Sequence, residues 1–126
     1  MTLVHGNRGE RMNDSILNDI KKLLGIMESY EHFDVDIIIH INTAFSTLTQ
    51  LGVGPSDGFS ITNKTETWAD FIGDDYLKFQ SVKTYIYLKV RMIFDPPSNS
   101  SAAEAIKSTI SELEWRLNIN AESKEE

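Results

Sequence analysis

The stretch Val82–Phe94, VKTYIYLKVRMIF, carries more apolar surface than one face of a helix can use. At about 100° per residue, Val82, Ile86, Val90 and Ile93 form one stripe. Tyr85, Leu88 and Met92 widen it on one side, Tyr87 and Phe94 on the other, and only Lys83, Thr84, Lys89 and Arg91 interrupt the circle. A helix that is apolar nearly all round is buried nearly all round. Asp95-Pro96-Pro97 ends it, because proline lacks an N–H and disfavours a helical residue before it. Two readings remain open. The helix is either the centre of the chain's own core with tyrosines at its rim, or it shows a second face to a partner or another copy.

The rest of the chain reads as further helices. Asp14 is placed to cap a first helix over 15–24, with Ile16, Ile20, Leu23 and Met27 on one side and Gly25 as its stop. Asp34 is placed to cap a second over 35–51, with Phe33 and Ile38 as a hydrophobic staple. Its stripe is Ile37, Ile41, Ala44, Phe45, Leu48 and Leu51, and Gly52 then Gly54-Pro55 break it. The third, from Tyr76, contains the opening stretch. Ser101-x-x-Glu104 has capping-box spacing for a fourth helix that runs to about Asn118, with Ile106, Ile110, Leu113 and Leu117 as its stripe.

Between Gly52 and Asp75 the helical period is lost. GVGPSDG is turn chemistry, and FSIT then NKTET alternates weakly, as a short strand or hairpin would. Thr67-Trp68-Ala69-Asp70 has capping-box spacing for a single helical turn ended by Gly73. A loop this long is uncommon in a compact domain. Phe59, Ile61, Trp68, Phe71 and Ile72 give it enough apolar content to pack on something. The core stripes lie outside it, so removal of 54–63 is expected to leave the helices folded. The expected fold class is all-α: a small bundle of four main helices, with the long loop between the second and third.

One domain is expected from 126 residues, spanning 12–121. Residues 1–11, MTLVHGNRGER, have no helical period and a positive balance. They read as a translated leader or a cloning scar, disordered, ahead of a native start at Met12. The last residues, 122–126, form an acidic tail.

Little here supports chemistry. The chain has no cysteine, and His5, His32 and His40 follow no metal-ligand spacing. Asp36 and His40 stand four apart and can meet on one helix face, but such a pair is more often a solvated face than an acid–base couple. GVGPSDG matches no phosphate-binding loop. No catalytic, metal or cofactor-binding residue is assigned, no cofactor is expected, and no apolar run is long enough to span a membrane. A net charge of −7 opposes tight general binding of nucleic acid.

Contact residues are the stronger signal. Trp115 lies two residues after Leu113 and five after Ile110, so it points away from the stripe of the fourth helix, with Ser111 and Ile119 beside it. Either the long loop covers it, or another subunit does, since Trp is over-represented among interface anchors. The candidate interface with another subunit or a partner is Trp115, Ser111, Ile119, Tyr87 and Arg91, with Phe59, Ile61 and Trp68 from the loop.

The whole-chain order resembles the small head–tail connector (adaptor) proteins of long-tailed bacteriophages, in the form common among phages of Gram-positive bacteria. The stretches that carry the resemblance are SILNDIKKLLGI at 15–26, DVDIIIHIN at 34–42, LTQLGVGPSDGFSI at 48–61, TWADFIGDD at 67–75, VKTYIYLKVRMIFDPP at 82–97 and SELEWRLN at 111–118. The resemblance implies a structural virion protein with no enzymatic activity, placed at the head–tail junction of the virion and in the host cytoplasm during assembly. Its implied partners are further copies of itself in a ring, typically dodecameric, a portal protein, and a stopper or tail-completion protein. The ring extends the DNA channel, and DNA passes through without specific binding. A second class fits the same apolar surfaces: a small phage or prophage helical regulatory module that binds a host protein.

Overall fold

The computed structural model describes residues 11–125. These residues form α1 (Ile16–Leu23), α2 (Asp34–Gln50), the short α3 (Trp68–Ile72), α4 (Tyr76–Phe94) and α5 (Ser100–Glu125). The all-α expectation holds. FSIT and NKTET form no strand, and the β-type pairing among the described residues is a single bridge between Ser15 and Thr67. The expected leader lies outside the described residues apart from Arg11, and Met12 is buried in the core.

The helix ends follow from local chemistry, with small displacements from expectation. Ser15, rather than Asp14, caps α1 by accepting from the Asn18 N–H at 3.1 Å. Gly25 adopts φ 82°, the Gly25 N–H donates to the Lys22 carbonyl at 3.0 Å, and the Ile26 N–H donates to the Lys21 carbonyl at 2.8 Å. This is a Schellman ending, and it turns the chain away. Met27 therefore leaves the stripe it was expected to join and is exposed, as is Leu23.

The end of α2 repeats the device. Gly52 donates to Thr49 and Val53 to Leu48, and Val53 is buried as the apolar residue that follows such a stop. Asp34 lies inside α2 rather than capping it. Asn99, rather than Ser101, caps α5 through its Oδ1, which accepts from the Ala102 N–H at 3.0 Å. The α5 helix also continues past Asn118 to Glu125, into the segment expected as a tail.

The helix read first as too apolar is the middle of the bundle. α4 packs on α2 and α5 most extensively, and also on α1 and α3. Val82, Tyr85, Ile86 and Val90 are buried. The side from Tyr87 to Arg91 meets α1, and the side carrying Lys89 and Met92 meets α5. Ile93 is the member of the expected stripe that stays exposed.

The long loop is part of the core, which corrects the expectation that the helices stand without it. Val53, Ile61, Trp68 and Phe71 are buried, and Phe59 packs partly buried against them. The rings of Phe45, Phe59 and Phe71 touch one another, with centroids 4.7–5.2 Å apart. Thr67 and Asp70 close the capping box read from their spacing. Glu66 holds the preceding turn by accepting from the Thr62 N–H at 2.9 Å, the Thr62 O–H at 2.8 Å and the Asn63 N–H at 3.2 Å. Burial works against that carboxylate, but the hydrogen bonds outweigh it and hold its pKa below the ordinary value.

Two polar groups, buried Lys21 and half-buried Asp19, tie α1 into the bundle. Lys21 is 1% exposed, yet its ammonium stands 2.8 Å from Asp34 Oδ1 and donates to the Glu28 carbonyl at 3.0 Å. A buried charge without such partners would be costly. Asp19 Oδ2 accepts from Trp68 Nε1 at 2.8 Å and lies 3.2 Å from Lys83 Nζ, which joins α1, α3 and α4 at one carboxylate.

Candidate interaction surface

The eight residues proposed from sequence separate into three places. Contrary to expectation, Ile61 and Trp68 are buried in the chain's own core and offer no surface to a second molecule, and Phe59 packs partly buried against the same core. Their apolar side chains were legible, but the Asn42, Asp19 and Phe45 contacts that absorb them link residues far apart in sequence.

Tyr87 and Arg91 sit half-buried where α4 meets the end of α1, beside a shallow recess lined by Leu23, Leu24, Gly25 and Asp95. Arg91 Nη1 lies 3.4 Å from the Tyr87 hydroxyl oxygen and its Nε lies 3.4 Å from the Asp95 carbonyl oxygen, long contacts that leave the guanidinium able to turn outward.

Trp115, Ser111 and Ile119 lie on the outer face of α5, with Trp115 66% exposed. The reason is helical phase. Leu117 and Ala121 are buried, Ile110, Leu113 and Glu114 are half-buried, and Trp115 falls on the opposite side of the cylinder. Glu114 accepts a 2.7 Å hydrogen bond from the Tyr85 hydroxyl, which fixes the rotation of α5 on α4. Burial first, and the Glu114 contact second, push the Tyr85 phenol above its ordinary pKa. At the far end, Asn118 Nδ2 donates to the Leu51 carbonyl at 3.3 Å.

Ser111 belongs to two features at once. One helical turn from Trp115, it also lines a groove of about 360 Å³ between α4 and α5, together with Met92, Ile93 and Ile110. Lys89, Lys107 and Glu114 complete that lining. Ser111 thus stands between the apolar part of the groove, Ile93 and Ile110, and the exposed face that carries Trp115.

Sequence reasoning missed a second exposed apolar region. Met27 and Tyr30 in the α1–α2 corner, and Val35 and Ile39 on α2, are all exposed. The signal was present for Val35 and Ile39, which fall outside the stripe Ile37, Ile41, Ala44, Phe45 and Leu48.

No hydrogen bond or ion pair joins Asp36 to His40 among the described residues. Among the same residues, no group of three or more His, Cys, Asp or Glu side chains is placed to hold a metal ion, and no helix is long and apolar enough to cross a membrane.

A family model described as phage connector protein matches residues 16–124. No curated protein matches the chain, and no solved structure does.

Proposed function

The chain belongs to the phage connector protein family, and we propose from that premise that it is a head–tail connector, or adaptor, of the virion. Copies form a ring below the portal vertex. The ring extends the DNA channel and gives a stopper or tail-completion protein its platform. The role is structural, and the chain works through its surfaces rather than through a reaction.

The observation that carries this reading is the family match over nearly the whole described chain, from α1 to the end of α5. The surface supports it. A ring subunit needs two different faces that mate head to tail. Trp115, Ser111 and Ile119 on α5 offer one apolar face, and Tyr87 and Arg91 lie on another side of the bundle. A net charge of −7 suits a channel through which DNA must slide, since phosphates find few cations to hold them.

Electron microscopy of the protein mixed with its cognate portal tests the proposal. The expected image is an added ring of density coaxial with the portal. Portal rings without added density, at protein concentrations well above those of the virion assembly reaction, overturn it.

A further inference from the structure

We infer that the α4–α5 groove receives the α1–α2 corner of a second copy of this chain. The inference rests on the ring reading above and names its two mating faces.

The groove has an apolar floor of Met92, Ile93 and Ile110, with Lys89 and Lys107 in its lining. Its one carboxylate, Glu114, is engaged by the Tyr85 hydroxyl. Lys107 also meets Glu104 at 3.4 Å, but both side chains are exposed, and such a surface pair is weak and easily exchanged. The corner is the opposite in charge. Residues 27–39 read MESYEHFDVDIII, with no lysine or arginine. Met27 and Val35 are 73% and 71% exposed, and Glu28, Glu31 and Asp36 stand exposed among them. The remaining acid of the segment, Asp34, is engaged by buried Lys21.

Charge decides the occupant. Two copies of a chain with net charge −7 repel each other at most relative orientations. An apolar corner set with carboxylates meeting an apolar groove set with ammonium groups is an orientation in which repulsion turns to attraction and apolar area is buried together. The two faces are different surfaces of one subunit. Their contact is therefore heterologous and repeats from copy to copy, which closes into a ring when the rotation permits.

The absence of cysteine gives a clean test. A variant carrying both Val35→Cys and Ser111→Cys, two exposed positions, is oxidised both as concentrated protein alone and on the portal. The expected result is a ladder of linked multimers on a non-reducing denaturing gel, with monomer alone from each single-cysteine variant. Adding Lys89→Glu and Lys107→Glu should abolish the ladder, and adding Glu31→Lys and Asp36→Lys to that chain should restore it.

Linked dimers from a single-cysteine variant would mean a face meeting itself and overturn the inference. So would no ladder in either setting from a variant with wild-type circular dichroism, or a ladder indifferent to the lysine reversals. Portal binding without a ladder overturns these faces and keeps the connector reading. A ladder without portal binding keeps the faces and removes the connector reading.

Discussion

Asn42 holds both backbone polar groups of Ile61: its Nδ2 donates to the Ile61 carbonyl at 2.9 Å, and the Ile61 N–H donates to its Oδ1 at 2.8 Å. One side chain thus pairs the loop with α2 as a neighbouring strand would. Ile61 is then carried into the core. Asn42→Ala leaves these groups without partners, at about 1–3 kcal/mol for each one left unsatisfied. Asn42→Asp should do little better, because an ionised carboxylate cannot donate to the carbonyl. Chemical denaturation of both variants checks this, and a wild-type midpoint for either would contradict it.

The same tie sets the outcome of shortening the loop. Removal of residues 54–63 takes away Phe59 and Ile61 and leaves Phe45 facing a void. Loss of a large core side chain costs about 2–5 kcal/mol, against a total of about 5–15 kcal/mol for a typical domain. The truncated chain should lack cooperative thermal unfolding. A milder probe is Gly54→Ala. Gly54 has φ 87°, and a Cβ there would run into the Phe71 ring. The backbone strain alone is about 1–3 kcal/mol, so a lowered melting temperature is expected.

The two tryptophans should behave oppositely. Trp68 is fully buried and bonded to Asp19. Trp68→Ala should therefore cost about 3–5 kcal/mol and fail chiefly as a fold. Trp115→Ala removes an exposed ring and should change stability by less than about 0.5 kcal/mol, while impairing ring assembly or portal docking. Melting curves and assembly assays on the pair separate the roles. A large drop in the melting temperature of monomeric Trp115→Ala would place that ring in the core.

Tyr85 makes a pH prediction. Its pKa is raised in the folded chain, by burial first and by the Glu114 hydrogen bond second. The neutral phenol is therefore the form the fold favours. Its contribution is fully present below the unfolded value of about 10 and is lost progressively as pH rises above that value. Tyr85→Phe should be less stable than wild type at neutral pH and should show a smaller further loss between pH 9 and pH 11. Equal alkaline slopes in denaturation series would contradict this.

The helices were legible because their signals are local. The stripe of α2, the capping box of Thr67 and Asp70, the glycine stops at Gly25 and Gly52, and the end at Pro96-Pro97 each lie within a few residues. Trp115 was also placed outward by phase alone. The loop was misread because apolar content does not say whether a side chain faces its own core or a neighbour. The contacts that decide it, Asn42 with Ile61 and Asp19 with Trp68, span long sequence separations. Met27 was misplaced because a Schellman turn redirects the chain after the helix stops. The corner it belongs to therefore went unnoticed.

The most direct measurement is the mass of the complex formed when purified protein and portal rings are mixed and passed over a sizing column with light scattering. The connector reading predicts a species heavier than the portal by a fixed, saturable number of copies of this chain, and loss of that species with Trp115→Ala. Portal and protein eluting at their separate masses across a titration would contradict it.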